Sequence, residues 1–330
     1  MEMKPFFTKL STFLLLSIAF AFLFAGLGYC QDTEVAKFPS RPITFIVPVP
    51  PGGPTDLAIR LITREAEKYL KQPIVIVNKP GAALTIGTAA IAASKPDGYT
   101  IGYSGGPPIF LTPLLEKVPY DPLKDFTAIM QCGGFNFGVY VKGNSPFKSF
   151  KDLIAFARQN PKKLTYGTVG TNSMGNITME DIAKKERVEI THIPFKGTPE
   201  AQTALLGGHI IAGAGDFNFS LVDSGETRLL MLLKEEHSAE YPNIPILKDL
   251  GYDNPYPMII SVVGPKGIPE GIVKKLEDAF VKAMKEPAFI KGMKDLRLPI
   301  SYRNSKELDE YIIRNYHFFT NLFKEKGLLK

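Results

Sequence analysis

Two periods alternate along the chain. Short apolar runs of strand length, ITFIV at Ile43–Val47 and IVIV at Ile74–Val77, flank a segment in which Ala58, Leu61, Ile62, Ala66, Tyr69 and Leu70 recur at helical spacing. The alanine-rich stretch 82–93 reads as a second helix, closed by Lys95-Pro96-Asp97-Gly98, and Tyr99–Tyr103 reads as a third strand. Strand, helix, strand, helix, strand predicts a parallel sheet with right-handed crossovers.

The pattern then returns. Residues 150–159 have a helical period, Leu164–Gly167 is strand-like, and the glycine-rich Gly167–Gly175 precedes a helix through Met179, Ile182 and Ala183. Ile190–Ile193 predicts a strand, and Lys196-Gly197-Thr198-Pro199 a helix start with Thr198 as N-cap and Pro199 in the first turn. Ile210–Ala212 predicts one more strand, and residues 272–284 and 308–323 are amphipathic helices. Two α/β units follow from this. The apolar stretches Gly138–Val141 and Met258–Val263 are expected to cross between them, which returns the C-terminal helices to the first unit. The expected lobes are 38–138 with 258–330, and 139–257, with a cleft between them for a ligand.

The first thirty residues are different material. Lys4 and Lys9 precede the uncharged run Phe13–Leu27, with Gly26 and Gly28 at its end. A basic head, an apolar middle and a small-residue end predict a signal peptide over 1–30, and so export to the periplasm. Uncharged sequence from Leu10 to Gln31 would span a bilayer if left uncut. Leu27-Gly28-Tyr29-Cys30 approaches a lipoprotein cleavage box, with Tyr29 bulky where a small residue is expected; a lipid anchor at Cys30 is therefore an alternative. Cleavage before residue 31 leaves Cys132 as the mature cysteine, in an apolar setting that suits packing better than reactivity.

Over all 330 residues, 45% hydrophobic and 22% charged content suits a globular protein with a proper core. The formal charge of +6 is spread without a dense Lys/Arg stripe, so nucleic acid is not an expected partner. A mild basic excess does help small anions arrive.

Three loops share one design: strand, glycine-bearing turn, helix start. They are PPGGPTD (50–56), GTVGTNSMGN (167–176) and KGTP (196–199). A helix start offers unpaired amides and the positive end of the helix dipole, which suits a carboxylate or phosphate. One such loop is most simply a tight turn; three of them in a two-lobed chain point to an anion cleft. The candidate ligand residues are Pro51, Gly52, Gly53, Thr55 and Asp56; Ser104 and Gly105; Thr168, Gly170, Asn172, Ser173 and Asn176; Lys196, Gly197 and Thr198; and Asp216. Asp56 falls in a first helical turn, where it can cap its own loop or face the ligand. Lys196 can pair with a ligand carboxylate or with Asp216.

Enzyme readings find less support. Gly53 is followed by Pro-Thr-Asp, which breaks a Walker loop, and GxGxxG is absent at both glycine-rich loops. Thr171-Asn172-Ser173-Met174-Gly175 approaches a nucleophile elbow, with threonine in place of the first glycine. Ser173 suits a helix N-cap better than a nucleophile. His192, His209, His237 and His317 have no metal-ligand spacing, so neither a metal nor a cofactor is expected. A serine hydrolase using Ser173, and a membrane-held sensor ectodomain, are the competing functional readings.

The blocks IVPVPPGGPTD (46–56), NKPGA (78–82) with IG (86–87), KPDGYT (95–100), VPYDPLKDF (118–126), LTYGTVG (164–170), IPFKGTPEAQTALLGGHI (193–210) and GPKGIP (264–269) occur in this order. Together they resemble the extracytoplasmic solute-binding proteins of tripartite tricarboxylate transporters, the Bug family, over nearly all of the chain after the leader. The resemblance implies a type II periplasmic binding protein fold, two α/β lobes with parallel-rich sheets joined by two crossover strands around a cleft. It implies a monomer that holds a small organic acid through backbone amides and ordered waters, and delivers it to permease subunits in the membrane. Departures are visible. Many members carry a histidine near Asn176 and a tryptophan near Met258, and this chain has no tryptophan. SGGPPIF at Ser104–Phe110 replaces a more polar loop, and its Ile109 and Phe110 are expected to give the cleft a less polar wall.

Overall fold

ITFIV does form the first strand, and the sheet grows around it. The computed structural model describes residues 35–330 apart from 172, 254–256, 326 and 330. The predicted leader, Cys30 and Asn172 therefore lie outside the described residues. The first five-stranded sheet has the order β2-β1-β3-β10-β4, where β1 is Ile43–Val47, β2 Ile74–Asn78, β3 Thr100–Tyr103, β4 Phe126–Gly134 and β10 Ile259–Pro265. The second has the order β7-β6-β8-β5-β9, where β5 is Phe137–Lys142, β6 Thr165–Thr168, β7 Thr191–Pro194, β8 Ala212–Asp216 and β9 Thr227–Leu232.

Directions decide where the loops go. β1 is parallel to β2 and β3, and β10 is antiparallel to both β3 and β4. The C-terminal ends of β1 to β4 therefore share one edge. In the second sheet β6 is parallel to β7 and β8, while β5 is antiparallel to β8 and β9, with Phe137 opposite Asp216. The chain needs only Phe135 and Asn136 to pass from the end of β4 to the start of β5. Two edges rich in helix starts are thus held face to face across a short hinge. Phe135 N donates to Met258 O at 3.2 Å, so the outgoing and returning chains are bonded where they cross.

The crossing is shorter than the sequence suggests. Gly138–Val141 and most of Met258–Val263 were expected to run between the units. Instead they are buried strands within the sheets, and the crossings lie at their N-terminal margins. An apolar run that is buried on both faces looks alike in a crossing and in a central strand.

Each helix forms for a local reason. In the helix Pro54–Leu70, Pro54 supplies a preset φ in the first turn and Gly53 precedes it in extended backbone. Ala58, Ile59, Ile62, Ala66 and Leu70 form its buried face, and Lys71 ends it at φ 58°. That face packs against the helix Glu270–Met284, whose Phe280 meets Phe45 of β1 edge to face at 6.4 Å. Truncating a fully buried phenylalanine such as Phe280 costs about 3–5 kcal/mol. A second apolar cluster joins residues of both sheets, including Phe126 and Tyr166, with Tyr311, Phe319 and Phe323 of the helix Ser305–Glu325.

Ile109 and Phe110 belong to this interior and do not wall a cleft. They are 1% and 0% exposed, and Phe110 meets Tyr311 edge to face at 6.4 Å. The prolines at 107 and 108 start a short helix that turns both side chains inward.

Candidate functional site

The loops after β1, β3, β6, β7 and β8 all lie on the two facing edges. Their polar residues divide by direction. One set braces the loops from within, and the other faces open space.

Asp56 leads the bracing set. It is 1% exposed and accepts from Gly52 N at 2.9 Å, Arg60 Nε at 2.8 Å and Asn78 Nδ2 at 2.8 Å. Burial pushes its carboxyl up, but these hydrogen bonds outweigh burial and hold it below the usual aspartate range. Of the two roles open to Asp56, the geometry fits loop bracing. Asn78 also donates to Val49 O at 2.9 Å, so the end of β2 fastens the loop after β1. Gly52 sits at φ 88°, where a side chain would be strained, and that turn aims its amide back at Asp56. Pro51 is exposed at the tip, and Thr55 is half-buried in the first helical turn.

Ser104 is 1% exposed, with Oγ 3.4 Å from Thr88 Oγ1 and its carbonyl accepting from Ser261 Oγ. A Cβ on Gly105 would come within 2.6 Å of Ile259 O, so the loop after β3 lies tight against β10.

The loop after β6 rests on a hydrogen-bonded chain. Thr168 Oγ1 donates to Gly170 O at 2.9 Å and accepts from Ser173 Oγ at 3.0 Å. His192 Nε2 lies 2.8 Å from the same oxygen. The one hydroxyl proton of Thr168 is already committed to Gly170, so Nε2 is the donor in this arrangement. Burial pushes the His192 imidazole below its usual range, with Glu180 opposing, and the ring lies against Tyr166 at 5.1 Å. Asn176 Nδ2 donates to Tyr166 Oη at 2.8 Å and approaches Glu180 Oε1 at 3.4 Å. Ser173 caps the helix Met174–Glu186 by accepting from Asn176 N. Its proton goes to Thr168, which is no base, so the nucleophile-elbow geometry lacks its second member.

The outward set is smaller. A Cβ at Gly53 or Gly170 would meet nothing within 4 Å, and one at Gly197 would meet only Pro199 Cδ at 3.7 Å. Gly197, not Thr198, is the N-cap of the helix Thr198–Leu206. Thr198 enters the first turn and turns its Oγ1 to Asp216 Oδ2 at 3.3 Å, a partner too distant in sequence to be legible there. Asp216 ends β8 with its surface open, yet desolvation by its surroundings raises its pKa, opposed by Thr198 and the Phe217 amide. Tyr140 fixes this strand end: its ring lies where a Gly213 Cβ would be, and its hydroxyl donates to Asp216 O at 3.1 Å. Lys196 is exposed, and its amide donates to Glu200. Its ammonium forms no ion pair with Asp216 among the described residues.

Arg60, Asn78, Tyr166, Glu180 and His192 support the site without having been singled out in the sequence. For Arg60 the i, i+4 spacing from Asp56 was a usable signal. For the others the contacts join separate strands. No group of three or more acidic, histidine or cysteine side chains arranged for a metal occurs among the described residues. No described helix is long and apolar enough to cross a membrane. Cys132 is buried, with its thiol pushed up to about 12 by burial.

Residues 58–328 match the family described as "Tripartite tricarboxylate transporter family receptor". The chain belongs to that family. A Cupriavidus necator relative, "UPF0065 protein in gbd 5'region", is 36% identical, covering 91% of each chain. BugT of Bordetella pertussis is 30% identical over 81% of this chain and 84% of its own. Among solved structures, a TctC solute-binding protein from Polaromonas superposes with a TM-score of 0.79, at 26% identity, over 87% of this chain and 99% of that one. MatC from Rhodopseudomonas palustris, with bound malate, gives 0.66 at 25% identity over 86% and 99%. A further R. palustris protein, with adipate, gives 0.69 at 26% identity over 88% and 98%. The receptor is a two-lobed α/β solute-binding protein of the type II periplasmic binding class.

Proposed function

We propose that this receptor captures a small organic acid, a di- or tricarboxylate or a related carboxylate, between its lobes. It then delivers the acid to the permease subunits of a tripartite tricarboxylate-type transporter, acting as an exported periplasmic monomer without covalent chemistry. The observation that carries this reading is the set of glycines, Gly53, Gly170 and Gly197, whose missing side chains leave open space on both facing edges. Glycine-bearing turns ahead of helix starts suit carboxylate oxygens. The malate and adipate held by the two R. palustris relatives support the same class of ligand.

Asp216 and Lys196 give the cleft polarity. A carboxylate whose pKa is raised suits a ligand hydroxyl or ammonium, while the Lys196 ammonium, without an ion pair among the described residues, suits a ligand carboxylate. A thermal-shift screen over di- and tricarboxylates, hydroxy acids, amino acids and aromatic acids tests the proposal. At least one di-, tri- or hydroxycarboxylate should raise the melting temperature in a saturable way. A screen in which no carboxylate does so contradicts it.

A further inference from the structure

A cavity of about 600 Å³ opens beside the hinge, and no residue of the glycine loops lines it. Its walls come from the end of β4, the start of β10, residues 234–240 after β9, and residues 290–303. β4 and β9 are the edge strands of their sheets, whereas the outward-facing glycine loops follow β1, β6 and β7. No outward-facing glycine loop lines the cavity, although its Ile259 lies against Gly105 of the loop after β3.

Three residues from three segments meet in it. Asn136, in the crossing itself, is 5% exposed. Its Nδ2 donates to Arg297 O at 3.0 Å, and its Oδ1 lies 3.5 Å from Lys234 Nζ. One amide therefore links the Lys234 ammonium to the backbone of Arg297. Lys234 forms no ion pair among the described residues, and burial pulls its ammonium below the usual lysine range. Arg297 Nη2 pairs with Asp223 at 2.5 Å. Its Nη1 is buried without a hydrogen-bond partner, with Glu240 Oε1 at 3.6 Å.

The other acids at this site are engaged elsewhere. Glu235 accepts from Tyr311 Oη at 2.8 Å and pairs with Arg303 at 3.6 Å; Glu236 pairs with Arg303 at the same distance. Glu240 already pairs with Arg297 Nη1 and the Glu236 charge acts on Lys234 through space, so the cation left without an ion pair among the described residues is Lys234. The lining also carries aliphatic side chains, with Leu298 buried and Ile290 and Ile300 exposed by 47% and 41%. A cation without an ion pair, in a cavity with aliphatic lining, suits an anionic head on an apolar chain, and the neighbouring glutamates disfavour a second charge.

We propose that this cavity binds an aliphatic monocarboxylate, its head on Lys234 and its chain against Leu298, Ile290 and Ile300. Its lining includes Phe135 and Met258, whose backbone bond ties the two crossings together.

Titration calorimetry with octanoate tests this on the parent, Lys234→Gln, Ile300→Glu and Gly53→Val. Losing one charge-assisted contact should weaken octanoate binding by about tenfold or more in Lys234→Gln. Ile300→Glu, at an exposed position, should weaken it as well, and Gly53→Val should bind octanoate as the parent does. If Lys234→Gln does not fold, Ile300→Glu decides. No octanoate binding by the parent, undiminished binding in the two cavity variants, or loss in Gly53→Val would each overturn the proposal.

Discussion

The Gly52 amide donates to Asp56 Oδ2 at 2.9 Å, so the helix closes the glycine loop that precedes it. Arg60 and Asn78 share the same carboxylate, and the loop is shaped before any ligand arrives. Preorganisation of this kind lowers the ordering cost of binding. Asp56→Ala should therefore lower stability and affinity together. Removing a charged acceptor costs on the order of 2 kcal/mol, discounted here because Arg60 is partly solvated. Denaturant melts and ligand titrations on the same sample check it; a stable variant with full affinity would contradict the bracing role.

Asp216 behaves in the opposite sense. Its folded pKa is raised by desolvation, so its stabilising contribution is present below the unfolded value of 3.8 and is lost as pH rises through the folded pKa. At neutral pH the charge is a burden on the empty receptor. Asp216→Asn should melt higher than the parent at pH 7, with the gap narrowing toward pH 4, while its ligand-induced shift falls. A variant that is less stable at pH 7 would show that Asp216 is structural.

His192 shifts in the other direction. Burial depresses its folded pKa below the model-peptide value of 6.5. Its contribution is therefore present above 6.5 and lost as pH falls through the folded pKa. The parent should lose melting temperature on going from pH 7 to pH 5. His192→Gln, which keeps a donor for Thr168, should lose less. Equal losses would remove His192 as the cause.

Ser173 is a cap in this geometry. Ser173→Ala should cost about 1 kcal/mol, the usual value for a lost N-cap. Any background hydrolysis of small esters should be unchanged. Turnover that disappears in this variant would restore the hydrolase reading.

Much of the first sheet was legible because ITFIV, IVIV and the intervening helical stripe carry clean periods. β8 was harder. Its sequence, AGAGD, offers no bulk, since Gly213 makes room for the Tyr140 ring and that contact is invisible in one dimension. The strand was therefore expected at Ile210–Ala212 and forms instead at Ala212–Asp216. The glycine loops were visible as motifs, but the direction of each polar side chain was not. Thr198 looked like a cap and became a partner of Asp216, because strand pairing brings the ends of β7 and β8 to the same edge. Lys196 remained open in the sequence, and the structure gives it no acid partner among the described residues.

The most direct test of ligand capture is calorimetric titration of the parent, Gly53→Val and Gly197→Val with the carboxylate that gives the largest thermal shift. Both glycines have backbone angles that other residues adopt, and both face open space, so the variants should fold and melt close to the parent. Each valine would stand where a ligand oxygen meets the loop amides. A lost charge-assisted bond of this kind weakens binding about tenfold or more, so both variants should bind at least that much more weakly. Folded variants that bind with the parent's affinity would place the ligand elsewhere and contradict the proposed cleft.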